Sequence, residues 1–413
     1  MRPIAVLILL FGFLTGESQE NQVTKMIFQK KMGQRSEQRF ARAMVATHDN
    51  GYVVVGNGSD HGLDRVNHYG WLTKLDKRGQ TLWKKRLNGL LYFYAVQETQ
   101  DYGYIITGSE GVLEIHRSDF VVIKTTYHGD EEWRITLRGG YNNSDDVAAS
   151  VIETSDHNYL VTGQLVNELS HLVLLKVDRN GKTIWKKLFT EYSAGVCLVE
   201  TKDGGYLIGF EGDEQGNSGL LKTDSNGNQL WHKVLHHKNS KRNEITSLTL
   251  TDGGVIVAGA TKLETSKVDG WFASGIAAWL IKTDSDGNQL WDTTFGGSGK
   301  DKFWCVNHTK DGSYILCGKS IALDHTSKAW LIKTDANGQK AWEKTFGGSK
   351  EEVNNYGEGD AAFCVLAADD GGYIFCGQTT GEIAVRIRYS KFNEINAWVV
   401  KTDENGNCLE AEK

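Results

Sequence analysis

Proline is nearly absent from this sequence, since Pro3 is the only one among 413 residues. A proline inside a sheet removes a backbone N–H donor from the ladder, so strands tolerate very few of them. The apolar residues follow no helical period, and short runs rich in valine, isoleucine and tyrosine recur instead. The scarcity of proline therefore favours a body made almost entirely of hydrogen-bonded strands.

Excess positive charge and long apolar runs are also missing. The formal net charge is −6, which offers no basic surface for nucleic acid or anionic lipid. The apolar run Ile4 to Leu14 is too short to span a bilayer, and it follows Arg2 as in a secretory signal. We therefore predict a signal peptide at 1–18 and a single domain at 19–413. The protein is expected to be secreted and extracellular, with no membrane insertion and no nucleic-acid partner, an uncleaved anchor being the alternative.

One phrase is repeated along the whole sequence. "AWLIKTDSDGNQLWDTTFGG" at 278–297 returns as "AWLIKTDANGQKAWEKTFGG" at 329–348. Each copy has a lysine, a glycine five residues later and, in six copies, a tryptophan nine residues after the lysine. The lysines are Lys74, Lys124, Lys176, Lys222, Lys282, Lys333 and Lys401. Their spacing of 46 to 68 residues is typical of propellers and repeat arrays.

Each copy also divides into four strands. An upstream run such as "GYVVVG" or "GYIITG" reads as one strand, and Asp-Gly or Asn-Gly turns join antiparallel neighbours. In the sixth unit, strands are predicted at 303–309, 314–318, 329–334 and 340–346. Seven such units predict an all-β fold, a seven-bladed β-propeller with four antiparallel strands per blade.

The two ends of the chain predict how the ring closes. The last copy ends without a fourth strand, and residues 26–33 have the pattern of that strand, with Phe28 in the tryptophan position. We therefore predict that the N-terminal strand completes the last blade and leaves no free sheet edge there. An open solenoid with two separate caps is the alternative.

Phrases of the form "DGGYLIGF…LLKTDSNGNQLWHK" resemble a repeat of exported bacterial and archaeal β-propeller proteins, in which Gly-Tyr-Ile-Val-Ala-Gly and Trp-Leu-Ile-Lys-Thr-Asp phrases alternate. The resemblance covers nearly all of the mature chain and implies the propeller fold, but no particular activity. The blades are also distantly similar to the tryptophan-docked blades of pyrroloquinoline-quinone enzymes. Those enzymes usually have eight blades and an adjacent cysteine pair, and this sequence has neither.

Any function is predicted on the face where a fourth strand leads into the next first strand, because the longer segments lie there. Asp146, Asp301 and Asp360 stand at the entrances to first strands, with Glu244 near this mouth of the channel. These carboxylates would hold a sugar hydroxyl or a cation. Alternatively, each aspartate caps a turn beside a Gly-Gly segment. No metal site and no cofactor is predicted apart from that cation.

The same face carries the other candidate ligand-binding residues. The segments 57–70, 260–277 and 378–396 vary most in length and are interpreted as loops. The histidines there are scattered over several blades without ligand spacing, so solvent-facing side chains are the alternative to a metal or catalytic role. Aromatic side chains on these loops would stack on a sugar or anchor a protein. The candidates are His61, His68, His325, Tyr69, Trp71 and Trp271.

Four of the six cysteines are placed symmetrically about two turns. Cys305 and Cys317 are equidistant from one turn, and Cys364 and Cys376 from the next. Directly opposite cysteines predict two disulfides in an oxidising compartment, with buried free thiols as the alternative.

These observations lead to a primary and an alternative function. We predict a secreted glycoprotein, with N-glycosylation at Asn57 and Asn142, that acts as a binding or scaffold module for carbohydrate or an extracellular protein. An extracellular hydrolase, lyase or oxidoreductase with its site over the central channel is the alternative. No serine elbow, phosphate-binding glycine loop or His-Glu-x-x-His motif supports catalysis. A structural matrix component cross-linked through Cys408 is a third hypothesis.

Overall fold

The structure, a computed structural model, describes residues 27–33, 37–61, 66–112, 117–140, 145–213, 215–264, 275–297, 299–350, 359–387 and 390–408. They form seven four-stranded antiparallel sheets and contain no helix. No described segment is therefore a helix long and apolar enough to cross a membrane. The seven-bladed β-propeller predicted from the repeats is confirmed. The signal peptide predicted at 1–18 lies outside the described residues.

The strands follow the repeat closely. Before the first complete sheet comes β1 (Phe28–Met32). Blade 1 contains β2 (Glu37–Ala46), β3 (Tyr52–His61), β4 (Val66–Leu75) and β5 (Thr81–Leu87). Blade 2 contains β6 (Leu90–Glu98), β7 (Tyr104–Val112), β8 (Arg117–Thr125) and β9 (Glu131–Leu137). Blade 3 contains β10 (Val147–Glu153), β11 (Tyr159–Asn167), β12 (Leu169–Val177) and β13 (Thr183–Phe189). Blade 4 contains β14 (Ala194–Glu200), β15 (Tyr206–Glu211), β16 (Gly219–Thr223) and β17 (Gln229–Val234).

The remaining blades have the same composition. Blade 5 contains β18 (Ser240–Thr251), β19 (Gly254–Leu263), β20 (Ile276–Thr283) and β21 (Gln289–Gly296). Blade 6 contains β22 (Lys302–His308), β23 (Tyr314–Ile321), β24 (Thr326–Thr334) and β25 (Lys340–Lys350). Blade 7 contains β26 (Ala361–Ala367), β27 (Tyr373–Ile387) and β28 (Ser390–Thr402), and β1 is its fourth strand.

Closure of the ring occurs as the sequence predicts. β1 pairs antiparallel with β28, from Phe28 opposite Lys401 to Met32 opposite Ala397. The sheet order β1-β28-β27-β26 places β1 at the outer edge of blade 7. The first and last parts of the chain therefore share one sheet, which covers the edge that β28 would otherwise present to solvent.

Neighbouring blades are held together by the repeated tryptophan and glycine. In blade 5, Gly287 has φ +79°, and a Cβ there would lie 2.6 Å from the Trp231 ring of blade 4. The tryptophan therefore docks directly on the turn backbone of the next blade, which only glycine permits. Phe28 occupies the same place against Gly79, so the closing strand also supplies the docking aromatic of blade 7. The apolar core consists of clusters between adjacent sheets.

The repeated lysine has a structural role at the same end of each blade, where it contacts the turn between the first two strands. Lys74 is fully buried, and its Nζ lies 2.7 Å from Asp49 Oδ1 in the turn between the first two strands. The corresponding pairs, at 2.6 to 2.9 Å, are Lys124–Asp101, Lys176–Asp156, Lys222–Asp203, Lys333–Asp311 and Lys401–Asp370. Blade 5 differs because its turn is shorter, and Lys282 donates to Thr251 Oγ1 instead.

Two segments interpreted as loops are largely strand. β3 and β4 stay paired as far as His61 opposite Val66, which covers most of 57–70. β27 and β28 pair as far as Ile387 opposite Ser390, within 378–396. The loop interpretation was wrong there because an antiparallel pair can extend past the four-stranded part of a blade as long as its two strands keep exchanging backbone hydrogen bonds.

Candidate functional site

The inner strand of every blade contains a bulge that projects one residue out of register. The pairing between first and second strands skips one residue in each blade, a two-for-one irregularity that re-aims a side chain. The skipped residues are Arg42, Tyr94, Ala149, Val196, Thr246, Trp304 and Phe363. Because inner strands surround the axis of a propeller, these residues form the candidate wall of its central channel.

A cavity of about 330 Å³ lies where blades 5, 6, 7 and 1 meet the channel. We call it the mouth cavity, and its walls include Arg42, Glu244, Lys302, Trp304 and Phe363. Lys302 begins the inner strand of blade 6, whose other end leads into the tight turns. The mouth cavity therefore opens on the face where the sequence places function. Lys300 and Lys319 also line it, so cationic side chains outnumber the acidic one.

Aromatic rings and cations alternate along one side of the mouth cavity. The ring centroids of Trp304 and Phe363 are 4.8 Å apart. The Arg42 guanidinium lies 4.6 Å from the Phe363 centroid and 5.1 Å from that of Phe40. Lys302 Nζ lies 5.7 Å from the Trp304 centroid. These distances are within the range of cation–π attraction and hold the charged groups against apolar surface.

Arg42 is the unusual member of this group. Its Nε donates one long hydrogen bond, 3.4 Å, to Asn57 Oδ1, and it forms no ion pair with a carboxylate of the described residues. Desolvation by the channel wall lowers the pKa of Arg42 from its ordinary value. A guanidinium is a fork of five donors that suits carboxylate or sulfate-like anions, so most of its hydrogen-bonding capacity is available to a ligand.

Two glutamates lie beside the cations. Glu244 forms an ion pair with Lys302 across the boundary between blades 5 and 6. Glu211, at the end of β15, lies close enough to feel the charge of Glu244. Burial first, and then that repulsion, raise the pKa of Glu211 to about 7, with Lys302 and Arg242 opposing the rise. The Glu211 carboxyl group can therefore gain or lose a proton near neutrality.

The three aspartates proposed as ligand-binding groups already accept hydrogen bonds from the protein itself. Asp301 accepts from the Gly297 N–H at 2.7 Å and from the Ser320 hydroxyl at 2.6 Å. Asp146 accepts from the N–H groups of Gly139 and Val166, both at 2.7 Å. Each carboxylate thus joins the end of the preceding blade to the second strand of its own blade.

Asp360 makes the same connection, since it accepts from the Gly348 and Thr380 N–H groups at 2.7 and 3.0 Å. The capping alternative describes these contacts, and all three side chains are almost fully buried. Desolvation raises the pKa of Asp146 and of Asp301. Within the described ranges, no group of three or more histidine, cysteine, aspartate or glutamate side chains is arranged to hold a metal ion.

The loop aromatics and histidines are not gathered into one site. Tyr69 and Trp71 lie in the core between blades 7 and 1, so their prediction as exposed stacking residues was wrong. They belong to β4, and its alternating side chains point into the sheet interface. His68 is half-buried near Tyr92, and His325 is exposed in the turn after β23. His61 ends β3, and Trp271 lies outside the described residues.

The predicted disulfides are not present. Cys305 is opposite Cys317, and Cys364 is opposite Cys376, as the spacing predicts, but the structure has all four as free thiols. The Cys305 and Cys364 thiols instead donate to main-chain oxygens of the next blade, those of Val365 and Met44. The cysteines therefore fill small sites between blades, which is the alternative that the sequence left open.

One predicted glycosylation site is inaccessible. Asn57 lies within β3, is 6% exposed and accepts a hydrogen bond from Arg42, so a glycan there would require the sheet to open. Its prediction as a loop residue was therefore wrong. Asn142 falls in a part of the chain that the structure does not describe.

The mouth cavity contains residues that the sequence reading missed. Arg42, Trp304 and Phe363 each stand five residues before the threonine or alanine that opens the next turn. In an alignment of the seven repeats, this position has a different residue type in almost every blade, although the positions around it follow the repeat. That variability within a regular repeat is the signal by which the sequence could have indicated the site.

No protein-family model matches this chain, and no curated protein matches it in sequence. Its fold is similar to that of a catalytically inactive virginiamycin B lyase from Staphylococcus aureus, solved with quinupristin. The identity is 9%, the TM-score is 0.51, and 91% of this chain and 99% of that one are covered. It is also similar to the Pan2 WD40 domain of Neurospora crassa, at 9% identity, TM-score 0.46 and coverage of 92% and 99%. The likeness to the lyase shows the fold alone.

Proposed function

We propose that this protein is an extracellular binding module whose ligand site is the mouth cavity, and that the ligand is an acidic carbohydrate. The observation that carries the proposal is Arg42, a desolvated guanidinium at the channel with one long hydrogen bond and no described carboxylate partner. A sugar carboxylate or sulfate would supply the acceptors that the guanidinium lacks.

The other walls of the cavity suit the rest of a sugar. Trp304 and Phe363 offer ring surface on which an apolar sugar face can stack. The Glu244–Lys302 pair offers an acceptor and a donor for hydroxyl groups. A volume of about 330 Å³ is at the lower end of the range for small-ligand pockets, and it favours one or two sugar rings over a flat protein interface.

Calorimetric titration with galacturonate oligomers and with a sulfated disaccharide tests this proposal, with a neutral glucan as the control ligand. We expect Arg42→Met to weaken binding of the acidic sugars roughly 10- to 100-fold, since charged hydrogen bonds are lost. Arg86→Met is the matched control, because Arg86 lies outside the cavity and pairs with Asp60. Equal affinity in Arg42→Met and wild type, or equal binding of neutral and acidic sugars, would contradict the proposal.

Export is part of the same proposal and is supported by the signal-like pattern of residues 1–18. Expression of the full chain with its first residues, followed by N-terminal sequencing of protein in the medium or periplasm, measures this directly. A protein that stays in the cytoplasm with its first residues intact would refute it.

An enzymatic function is the second candidate, and Glu211 is the observation that favours it. A carboxyl group whose pKa is raised to about 7, first by burial and then by the charge of Glu244, is suited to general acid–base catalysis near neutrality. An acidic polysaccharide incubated with the protein would then be shortened, with a rate that depends on pH near 7. Glu211→Gln should abolish the shortening while it leaves binding intact.

A further inference from the structure

Six blades place a buried tyrosine at the boundary with the preceding blade. It is the first residue of the second strand in each case, namely Tyr52, Tyr104, Tyr159, Tyr206, Tyr314 and Tyr373. All six are at most 7% exposed. Blade 5 has Val255 at this position, one residue after the start of β19.

The best-defined example is Tyr206, which packs against blade 3. Its hydroxyl accepts a hydrogen bond of 2.9 Å from Lys176 Nζ, and the same ammonium lies 5.6 Å from the ring centroid. The Trp185 ring lies 6.5 Å away. The phenol is therefore held by a lysine and a tryptophan of the preceding blade.

Other boundaries repeat this arrangement. Tyr373 lies 5.6 Å from Trp342, and Lys333 Nζ is 5.8 Å from the Tyr373 centroid. Tyr104 and Tyr159 lie 6.1 and 6.0 Å from the docking tryptophans of their preceding blades. The chain thus contains several copies of one phenol-binding arrangement, each filled by its own tyrosine.

At the boundary between blades 4 and 5, the phenol ring is missing and a cavity takes its place. This cavity, about 250 Å³, is lined by Val255, Leu207, Leu250, Lys222 and Thr201, and we call it the blade 4–5 cavity. Lys222 corresponds to Lys176 of the repeat. Trp231, the counterpart of Trp185, packs on the same apolar cluster as Val255.

The shorter turn of blade 5 adds to the opening. Thr251 pairs directly with Gly254, which leaves only two residues between the strands, whereas blade 4 has five between Glu200 and Tyr206. Lys202 and Asp252 at the rim are exposed, with Nζ and Oδ1 3.9 Å apart. The cavity is therefore accessible from solvent on the face opposite the mouth cavity.

We propose that the blade 4–5 cavity binds the phenol ring of an external ligand, a site independent of the mouth cavity. Leu207, Val255 and Leu250 supply apolar walls, and a dry cavity of roughly 150 Å³ is known to suffice for a benzene ring. The hydroxyl would lie near Lys222, as the Tyr206 hydroxyl lies near Lys176.

Lys222 Nζ donates three hydrogen bonds in this structure. The acceptors are Thr201 Oγ1 at 2.7 Å, Asp203 Oδ1 at 2.9 Å and the Thr223 carbonyl at 3.2 Å. The last bond is the longest, and a phenol oxygen would take its place. Asp203 and Asp252 line the same cavity and would repel an anionic ring substituent. The ligand class is therefore a neutral phenol, either a small molecule or the side chain of a tyrosine in a peptide.

The test is ligand binding to the full chain by calorimetry and NMR. We expect p-cresol to bind and toluene to bind at least 5-fold more weakly, because only p-cresol offers the hydroxyl. N-acetyltyrosinamide is the second probe: binding as tight as p-cresol indicates a peptide tyrosine as the source, and weaker binding indicates a small phenol. Binding of neither p-cresol nor N-acetyltyrosinamide, or equal binding of toluene and p-cresol, overturns the proposal.

Val255→Tyr is the decisive variant, because it would fill the cavity with the ring that the repeat uses elsewhere. We expect it to fold, to melt at the wild-type temperature or above, and to lose p-cresol binding. Tyr206→Val is the converse variant, which should open a second cavity and add a second p-cresol site. Unchanged p-cresol affinity in Val255→Tyr, or a lower melting temperature because the ring does not fit, would count against the assignment.

Discussion

The three aspartates at the strand entrances offer the sharpest test of how this propeller is built, and Asp301→Ala is the change to make. The variant removes a buried acceptor that receives the Gly297 N–H, the Ser320 hydroxyl and the Ile321 backbone. Blade 5 would then lose its connection to the second strand of blade 6.

The expected loss of stability in Asp301→Ala follows from the hydrogen-bond donors that would no longer have an acceptor. Each buried donor without an acceptor costs about 1–3 kcal/mol, and the lower part of that range applies because Gly297 and Ile321 are half-buried. Desolvation, which raises the pKa of Asp301, shows that the charged carboxylate is itself unfavourably placed and offsets part of the loss. We expect a net loss of about 2–4 kcal/mol, or roughly 3 to 5 °C in a chain of this size.

Differential scanning calorimetry measures the change, with Asp286→Ala as the control because Asp286 is exposed in a tight turn. Asp301→Asn should fall between the two, since it keeps one acceptor oxygen. Titration with an acidic oligosaccharide should give the same affinity for Asp301→Ala as for wild type at a temperature where both are folded. A normal melting temperature combined with lost binding would mean that the carboxylate serves a ligand, and the structural reasoning would fail.

Three further outcomes follow from individual contacts. Because the pKa of Glu211 is raised to about 7, its carboxylate opposes folding increasingly as pH rises from about 4.5 to 7. The free energy of unfolding of Glu211→Gln, measured with urea, should therefore exceed that of wild type by about 2–3 kcal/mol at pH 8 and by almost nothing at pH 4. Lys74→Met should lower the free energy of unfolding by about 2–3 kcal/mol, because it leaves the Asp49 carboxylate without its ion-pair partner. Lys282→Met breaks no aspartate pair in the described structure, so its free energy of unfolding should stay within about 1 kcal/mol of wild type. A similar loss in both lysine variants would contradict this difference. Phe28→Ala should lower the free energy of unfolding by about 3 kcal/mol, since it removes the ring docked on Gly79. It should also make β1 more susceptible to limited proteolysis. Full resistance to the protease would argue that β1 is not needed to close the ring.

Several features of the fold were accessible from local patterns. The tryptophan and glycine of each repeat meet across a blade boundary, and both residue types are demanded by that contact. The match between residues 26–33 and a fourth strand predicted the pairing of β1 with β28. Such predictions succeed because a strict repeat gives every copy the same neighbours. A contact inferred for one copy therefore holds for the others.

The candidate site was less accessible for a physical reason. The direction of Arg42, Trp304 and Phe363 depends on a bulge in the inner strand, and one residue of register reverses the face to which a side chain points. Asn57 and Tyr69 were assigned to a loop because nothing in their local sequence marks where the extended β3–β4 hairpin ends. Burial then depends on blade 7, which packs against that hairpin from the far end of the chain.

The sequence by itself determined the number of blades, the four strands in each and the closure by the N-terminal strand, because these depend on periodicity and turn chemistry within a few residues. Only the tertiary structure decided which polar groups are available to a ligand. Asp301 and Arg42 are both polar residues near the same channel mouth, yet one is surrounded by backbone donors and the other by aromatic rings. That difference arises from contacts between blades far apart in sequence, which no local pattern records.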